Sequence, residues 1–357
     1  MGVNDIHMTT VFNLRPLTPA DGPAIAALGE QSPETGAVAF HSEFHYDPYA
    51  ALLALRPSTI GVAVEAPDHD GLVGLGLASF GECCYEGTLR PYAYFYSLSV
   101  HPAYRRRGLA AQIAAWRVEQ ARERLGAEAV LISGIQSGNV GSVRTAQKWS
   151  QYQLDRSQAG VVKMRAKPPQ ARPGWEVRPA REAELEEIAQ KQNRFFQNHN
   201  FYPPQTAESL AAWRAEQPLG FQLHDYYVAA DSQGHILAGL GITDEGRVIS
   251  NRLIRMAWPL RLGNLLLKVV PPDGVMKRLP VEYFWFEPGQ VEAGQFLWES
   301  LRWLWRERGT MLMTFFDPRG PIPQAIRLPK LMPPQRGSLM VSGPVPVSEA
   351  RLVYQSS

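Results

Sequence analysis

Three consecutive arginines, Arg105, Arg106 and Arg107, stand directly before a glycine in the stretch HPAYRRRGLAAQ. Guanidinium groups bind phosphate oxygens strongly, often through two parallel hydrogen bonds. The first amides of a helix have no partner within the helix and attract anions. Gly108 lets a ligand approach the backbone closely, and Ala110 keeps the first helical turn slim. The stretch therefore predicts a site for the pyrophosphate of one small molecule.

The overall charge separates this hypothesis from two alternatives, a nucleic-acid surface and a solvated charge run. The 357 residues include 36 Lys and Arg against 34 Asp and Glu, which gives a formal net charge of +2. A nucleic-acid-binding protein usually carries a basic excess over a whole face. We therefore expect no nucleic-acid partner, and the arginines need a local explanation.

The cysteines and the apolar pattern indicate the compartment. Cys83 and Cys84 are adjacent, and neighbours can barely form an unstrained disulfide. Reduced thiols are typical of cytosolic proteins. No apolar run approaches the roughly 20 residues needed to cross a bilayer, and no signal-peptide pattern is present. The sequence predicts a cytoplasmic protein with no membrane partner, in which residues 1–8 are a vector-derived leader.

The elements around the arginines read strand, turn, helix, strand. Before the turn, Tyr96, Leu98 and Val100 alternate with two serines, as in a half-buried strand. After it, small and apolar residues recur at spacings of four, four, three and four and form an amphipathic stripe: Ala110, Ala114, Val118, Ala121 and Leu125. Gly126 stands where a helix C-cap belongs.

The chain repeats this pattern on both sides of a Pro-rich stretch, KMRAKPPQARPGW, that reads as a linker. Arg15-Pro16 matches Arg178-Pro179, and each half then carries a strand-turn-strand segment, GVAVEAPDHDGLVGLGLASF and YVAADSQGHILAGLGI. The prediction is an α/β protein with a mixed α+β sheet and two tandem domains, 9–163 and 175–357, joined by the linker 164–174.

The second copy departs from the first at the predicted anion site. Pro102 matches Pro288 and Gly108 matches Gly294, both at an offset of 186, which implies an insertion near LIRMAWPLRLGNLLLKVVPPDG. At this offset Val291, Glu292 and Ala293 replace the three arginines, Phe296 replaces Ala110, and Ala325 replaces Asn139. We expect this degenerate copy to keep the fold without binding the anion.

The stretch Arg105-x-x-Gly108-x-Ala110, preceded by LSVHP on a strand, resembles the signature of the GNAT superfamily of acyl-CoA-dependent N-acyltransferases. The resemblance covers about residues 12 to 157 well and 175 to 345 poorly. It implies that backbone amides of the arginines, Gly108, Leu109 and Ala110 hold the coenzyme A pyrophosphate. It also implies that the backbone of Leu98, Ser99 and Val100 binds the pantetheine arm and the acyl carbonyl, where two strands splay apart.

The resemblance extends to SGNVGSVRTAQKW, where Asn139 and Ser142 match the family's Asn-x-x-Ser/Ala. Asn139 either reaches the pantetheine amides or only caps a helix. Many family members place a tyrosine acid seven residues after this Asn, but here that position is Ala146. Tyr152 is the candidate substitute, with an ordinary core or surface tyrosine as the alternative; the thiolate could also leave without an acid.

Candidates for the general base remain open as well. Some family members carry a Glu early in the strand that precedes the arginines, where this chain has Tyr94 and Tyr96. Glu82 on the preceding strand is the nearest acidic candidate, and an exposed edge carboxylate is the alternative; a water relay can also serve. The stretch HSEFHYDP alternates His and acidic residues but matches no common metal site, so we expect acceptor contacts or a solvated loop and no metal.

The combined expectation is an N-acetyltransferase in the N-terminal domain that uses acetyl-CoA as acyl donor and an amine as acceptor. The amine would attack the thioester directly, and the Val100 backbone amide would stabilise the tetrahedral intermediate. The alternative is a non-catalytic acyl-CoA-binding sensor or scaffold. The protein is expected to be a monomer or a homodimer, and the sequence does not name the acceptor.

Overall fold

The computed structural model describes residues 11–32, 38–267, 269–328 and 334–356, so the predicted leader 1–8 lies outside the described residues. The strands are β1 Asn13–Pro16, β2 Val38–Phe44, β3 Thr59–Glu65, β4 Leu72–Tyr85, β5 Thr88–Val100, β6 Val130–Gln136, β7 Tyr152–Lys163, β8 Trp175–Pro179, β9 His199–Asn200, β10 His224–Asp231, β11 Ile236–Thr243, β12 Ile249–Met256, β13 Val275–Met276, β14 Arg278–Phe286, β15 Met311–Phe316, β16 Gln335–Ser342 and β17 Leu352–Val353. The helices are α1 Gly22–Gln31, α2 Pro48–Leu55, α3 Leu109–Leu125, α4 Val140–Ala146, α5 Leu185–Phe196, α6 Ala207–Ala215, α7 Trp258–Leu267, α8 Val291–Leu304 and α9 Ile322–Ala325.

One mixed sheet of twelve strands runs through the molecule in the order β1-β3-β4-β5-β6-β16-β7-β15-β14-β11-β10-β8. The pairs β5–β6 and β14–β15 are parallel, and the other neighbours in this sheet are antiparallel. The predicted mixed α/β fold is confirmed. None of the helices among the described residues is long and apolar enough to span a membrane.

The two halves repeat the same local interactions at their first strands. In β1, Arg15 binds both carboxylate oxygens of Asp21 at 2.9 and 2.7 Å. In β8, Arg178 binds Glu184 in the same way at 2.8 and 2.7 Å. The hydrogen bond from Arg15 lowers the pKa of Asp21 to about 2 even though burial opposes this shift. Both predicted Arg-Pro strands therefore lead into the following helix through a buried or half-buried ion pair.

The halves also exchange strands at the centre of the sheet. Strand β16, from the end of the chain, lies between β6 and β7, while β7 from the first half pairs with β15 of the second. Residues 164–174, the predicted linker, carry neither helix nor strand. Each half therefore completes its sheet with a strand supplied from the other side of the linker.

A second connection comes from the segment between β11 and β14, where an insertion was predicted. It forms β12, α7 and β13, and β12 pairs with β2 of the first half. Helix α2 packs against the second half through a buried cluster of Ala51, Leu223, Val248 and Ile249. The end of α2 is therefore held at the junction between the halves.

The helices that follow β5 and β14 pack directly on the sheet. Helix α3 approaches β4 closely because β4 carries glycines, and a Cβ atom on Gly76 would lie 2.3 Å from Ile113. In the second half, Trp298 and Trp305 of the aromatic helix region are 0% and 3% exposed. These tryptophans belong to the core of the second half.

Candidate functional site

Strand β5 changes direction at Ser97, which has a positive φ of 49°. The pairing with β4 shifts here, since Tyr96 faces Leu77 but Ser99 faces Leu75. The shift is a β-bulge, a device that re-aims a strand next to functional sites. The second half repeats the bulge at Tyr283 in β14, with φ 55°, exactly 186 residues later. This offset equals the one predicted for the two copies.

Strands β5 and β6 separate after a short stretch of pairing. They pair in parallel from Tyr92 to Tyr94, opposite Val130 to Ile132. The Ser133 hydroxyl still donates to the Phe95 carbonyl at 2.9 Å, and beyond it the described strands run apart. The predicted splay is confirmed, and its vertex lies at Tyr94 and Ile132.

The backbone of β5 presents amides to this splay. His101 N–H donates to the Val73 carbonyl at 2.9 Å, so residue 101 faces β4. Successive residues of a strand point their backbone groups to opposite sides, which turns Val100 and Leu98 away from β4 and leaves Ser99 facing it. The Val100 carbonyl accepts a bond from Arg105 Nε at 3.1 Å on that far side. The Val100 N–H therefore points into the splay.

A tight loop joins β5 to α3. His101 caps a 3-10 helix at Pro102–Tyr104, its Nδ1 accepting from the Ala103 amide at 3.3 Å. Arg106 and Gly108 then take positive φ values of 66° and 81°. Gly108 is the left-handed N-cap of α3, and a Cβ there would meet nothing within 4 Å. The glycine is thus required by backbone conformation, and the space above it is open.

The arginines surround the open loop. Arg105, Arg106, Arg107 and Gly108 are exposed, whereas Leu109 is 1% exposed and anchors the helix start in the core. The Arg107 guanidinium lies 5.0 Å from the centre of the Tyr104 ring. Ala110 is half-buried in the first turn. The structure therefore brings together the residues predicted to hold a pyrophosphate.

Asn139 and Ser142 lie at the start of α4. The Asn139 side chain accepts a hydrogen bond from the Ser142 amide at 3.1 Å, so Asn139 is a helix N-cap. Asn139 is exposed and Ser142 is half-buried. The capping role is present, and contact with pantetheine stays a prediction.

The two residues expected to transfer protons lie in different places. Glu82 is exposed on β4 opposite Pro91, and by strand alternation it lies on the same face as Ala93 and Phe95, which pack toward α3. Tyr152 begins β7, two strands beyond β6, and packs against an apolar cluster that also includes the vertex residues Ile132 and Tyr94. The catalytic roles of Glu82 and Tyr152 stay predictions.

The second half lacks a comparable loop. Helix α8 begins at Val291, directly after Pro288 and a positive-φ Gly289, so Gly294 lies inside the helix rather than at its N-cap. The predicted match of Gly108 with Gly294 is therefore wrong. A Cβ on Gly294 would lie 2.8 Å from Phe286, so this glycine serves close packing. The match of Asn139 with Ala325 is also wrong, because α9 begins after Pro321 and ends at Ala325.

The acidic side chains of the stretch HSEFHYDP interact with other groups of the protein. Glu43 on β2 forms an ion pair with Arg252 on β12 and lies 3.7 Å from His41. Asp47 caps α2, accepting from the Ala50 amide at 2.9 Å. Within the described ranges no group of three His, Cys, Asp or Glu residues is arranged to hold a metal.

Two arginines near the splay were not predicted from the sequence. Arg117 of α3 is 4% exposed and donates to the carbonyls of Leu77 and Tyr96 at 3.3 and 3.2 Å, next to the bulge. Burial lowers the pKa of Arg117 to about 10. Its position between Ala114 and Ala121 on the apolar stripe was an available signal. Arg56, whose guanidinium lies 5.1 Å from the Tyr94 ring centre, gave no such signal.

A mixed sheet whose strands splay beside a helix N-terminus is the arrangement that the resemblance to acyl-CoA-dependent acyltransferases implies. Residues 27–150 match the sequence model of the Acetyltransferase (GNAT) family. The N-terminal half therefore carries a GNAT acetyltransferase domain, and the resemblance inferred from the arginine stretch is confirmed. A search of curated protein sequences found no significant match.

Solved structures share the fold over most of the chain. A GCN5-related N-acetyltransferase from Sphaerobacter thermophilus is 16% identical with a TM-score of 0.57, covering 94% of this chain and 97% of its own. An N-myristoyltransferase from Saccharomyces cerevisiae with bound myristoyl-CoA is 10% identical with a TM-score of 0.62, covering 92% and 82%. At these identities the likeness concerns the fold alone.

Proposed function

We propose that the protein is an N-acetyltransferase whose acyl donor, acetyl-CoA, binds in the N-terminal half. The observation that carries the proposal is the continuity of the β5–β6 splay with the open, left-handed Gly108 at the start of α3. Unpaired helix amides and three exposed arginines at one end suit a pyrophosphate. The splay at the other end suits the extended pantetheine arm, with Leu98 and Val100 facing it.

The surroundings of the vertex favour a short acyl group. A Cβ on Gly134 of β6 would lie 2.8 Å from the Tyr94 hydroxyl and 2.6 Å from Gln355 Nε2. The space next to the vertex is therefore occupied by the Tyr94 and Gln355 side chains, and the Gln355 amide donates to the Tyr94 hydroxyl at 3.4 Å. A long acyl chain would have to displace both side chains, while an acetyl group would not.

The chemistry is direct transfer. The amine nitrogen attacks the thioester carbonyl carbon, and the oxygen that becomes negative accepts a hydrogen bond from the Val100 N–H. The carbon–sulfur bond then breaks, and the thiolate of coenzyme A takes up a proton. Glu82 lies on the α3 face of the sheet and Tyr152 two strands from β6, so we propose that they exchange protons with the reacting groups only through water.

The second half is proposed to be silent toward coenzyme A. Its helix α8 follows β14 without the arginine loop, and Glu292 lies in the first turn of α8. A carboxylate at a helix N-terminus repels a pyrophosphate that would compete for the same amides. We therefore propose one acyl-CoA site per chain.

The test is the release of coenzyme A thiol from acetyl-, octanoyl- and myristoyl-CoA, each with and without a panel of amines. We expect release from acetyl-CoA that depends on an amine and is at least tenfold faster than from myristoyl-CoA. Binding of acetyl-CoA without amine-dependent release would contradict the enzyme and favour an acyl-CoA sensor. Preference for myristoyl-CoA would contradict the acetyl specificity.

A further inference from the structure

The junction between the halves places a charged side chain beside the vertex of the splay. Helix α2 ends at Leu55 and packs through Ala51 and Leu55 against Leu219, Leu223 and neighbours of the second half. Arg56 is the next residue and the C-cap of this helix. Because α2 is fixed on both sides, the base of the Arg56 side chain is held at the junction.

The Arg56 guanidinium lies over an aromatic wall formed by β5. It is 5.1 Å from the ring centre of Tyr94 and 5.2 Å from that of Tyr96, and the two rings stack at 6.2 Å. Tyr94 is the last residue of β5 that pairs with β6, so the wall borders the vertex. The acyl carbon of a donor in the splay would lie next to this wall. Arg56, Tyr94 and Tyr96 all keep part of their surface open to solvent.

The second half supplies an opposite charge to the same place. Glu282 lies on β14 at the repeat position of Tyr96, 186 residues later, immediately before the second bulge. Its negative charge acts on Arg56 at the end of α2, on Tyr92 of β5 and on Tyr354 near the chain end. Burial by itself lowers the pKa of Arg56, but the neighbouring tyrosines of β5 and Glu282 together outweigh burial and raise it.

Glu282 is half-buried like Arg56, so a cation from one half and an anion from the other lie at one partly solvent-exposed aromatic wall. A pair of charges held partly out of water adds little to stability, since lost solvation offsets attraction. The same pair is well suited to a ligand that carries both charges. Arginine recognises carboxylates through two parallel hydrogen bonds, and a carboxylate accepts from an ammonium group.

Building on the proposed acetyltransferase, we propose that the acceptor is a free amino acid, whose carboxylate is bound by Arg56 and whose amine is bound by Glu282. Glu282 takes one proton from the ammonium group, and the neutral amine forms a C–N bond to the acetyl carbon. The C–S bond breaks, the coenzyme A thiolate takes up a proton, and the products are an N-acetyl amino acid and coenzyme A. The proton on Glu282 returns to solvent.

The experiment compares amino acids with their decarboxylated analogues: phenylalanine with phenethylamine, lysine with cadaverine and tyrosine with tyramine. Release of the coenzyme A thiol from acetyl-CoA, measured at increasing acceptor concentration, gives kcat and KM for each acceptor. The wild-type protein should favour at least one amino acid over its analogue by tenfold or more in kcat/KM. Arg56→Gln should remove this preference through KM, while the Kd of acetyl-CoA stays within twofold. Glu282→Gln should lower kcat/KM for both members of a pair at least tenfold.

Two controls separate recognition from folding. Arg306→Gln removes another arginine that covers an aromatic ring, 3.6 Å from the centre of Trp303, and should leave every constant unchanged. Arg56→Lys keeps the charge and should restore part of the preference. If Arg56→Gln fails to fold, the wild-type comparison within each pair and the Arg56→Lys variant still test the preference for amino acids.

Each outcome bears on one claim. Equal or faster turnover of the decarboxylated analogues overturns the amino-acid inference and leaves the acetyltransferase intact. Absence of acetyl-CoA binding overturns the proposed function itself. If acetyl-CoA binds but no amine is turned over, calorimetric titration of the amino acids into the coenzyme A complex tests whether they bind. Binding that weakens tenfold in Arg56→Gln supports an amino-acid site at Arg56 and Glu282, and no binding overturns it.

Discussion

At the scale of single residues, the proposed donor site depends on a backbone conformation that only one side chain type adopts readily. Gly108 has a φ of 81° and open space around its missing Cβ. A β-branched residue in this conformation costs roughly 1–2 kcal/mol, and it reshapes the loop wherever the loop can relax. The three arginines supply charge, but the glycine determines where the amides of α3 point.

Replacement of Gly108 by valine should therefore weaken acetyl-CoA binding at least tenfold, because the relaxed loop no longer directs its amides to the pyrophosphate. Calorimetric titration measures the effect. Gly234→Val is the matched control, since Gly234 also has a positive φ, 85°, and nothing within 4 Å of its Cβ position. Both variants should lose similar stability. Equal loss of affinity in the two variants would contradict the role of the loop.

A second residue-scale prediction concerns His199, which is 5% exposed beside Asp317. Burial lowers the pKa of His199 to about 4, and the Asp317 charge opposes the shift only in part. The unfolded chain binds a proton near pH 6.5 and the folded chain does not, so stability falls as the pH drops from about 6.5 toward 4. Lowering the pH from 7 to 5 should therefore reduce the free energy of unfolding by about 2 kcal/mol through His199.

Denaturant unfolding of the wild type and His199→Gln at both pH values tests this expectation. The glutamine variant should lose less stability on acidification than the wild type. Asp21, with a pKa near 2, does not contribute until the pH is lower still. An identical pH dependence in the two proteins would show that His199 is not the responsible group.

Residue types predicted the donor site well and the acceptor side poorly, for a physical reason. Arg105 and Gly108 belong to one local segment, where spacing and chirality determine the geometry. Arg56 and Glu282 meet only after two distant segments pack together, and neither has a local pattern. Arg117 is intermediate, because its place on an apolar stripe is visible in the sequence but its bonds to two strand carbonyls are not.

At the scale of elements, the position of α3 on β4 links packing to the site. Helix α3 carries the loop at its N-terminus and lies close to the sheet only because Gly74 and Gly76 have no side chains. A Cβ on Gly76 would lie 2.3 Å from Ile113, a distance that real contacts do not reach. The helix would have to move, and the loop would move with it.

Gly76→Ala should thus destabilise the protein by roughly 1–3 kcal/mol through overpacking and should also weaken acetyl-CoA binding. Thermal unfolding and calorimetry report the two effects. Gly29→Ala in α1 adds a methyl group where nothing lies within 4 Å and should stabilise by about 0.5–1 kcal/mol. Full affinity in Gly76→Ala would mean that the loop does not depend on the packing of α3.

The element order was predictable where local periodicity and turn residues act, as in the β3–β4 and β10–β11 hairpins. The start of α8 in the second half could not be predicted in this way, because an alignment at a constant offset assumes equal loop lengths. Strand β14 ends at Phe286 and α8 begins at Val291, so the loop is shorter than the one after β5. That shortening moved Gly294 into the helix.

At the scale of the whole molecule, the strand exchange makes the halves interdependent. Without β16, strands β6 and β7 would each expose an unpaired edge, which favours aggregation. No local pattern in β6, β7 or β16 predicts which strand fills this place. Only the pairing of distant segments decides the order.

A chain limited to residues 9–163 should therefore not fold as a stable monomer, whereas its co-expression with residues 164–357 should recover soluble protein. Size-exclusion chromatography and circular dichroism distinguish these results. The intact chain should unfold in one calorimetric transition. A folded, monomeric 9–163 fragment that binds acetyl-CoA with full affinity would contradict the interdependence of the halves.

The most direct test of the central claim is a calorimetric titration of acetyl-CoA into the intact protein and into the double variant Arg105→Glu, Arg107→Glu. The account predicts one site per chain, weakened at least tenfold in the variant, because the loop before α3 holds the pyrophosphate and the second half has no equivalent. Two sites per chain, or one site of unchanged affinity in the variant, would contradict it.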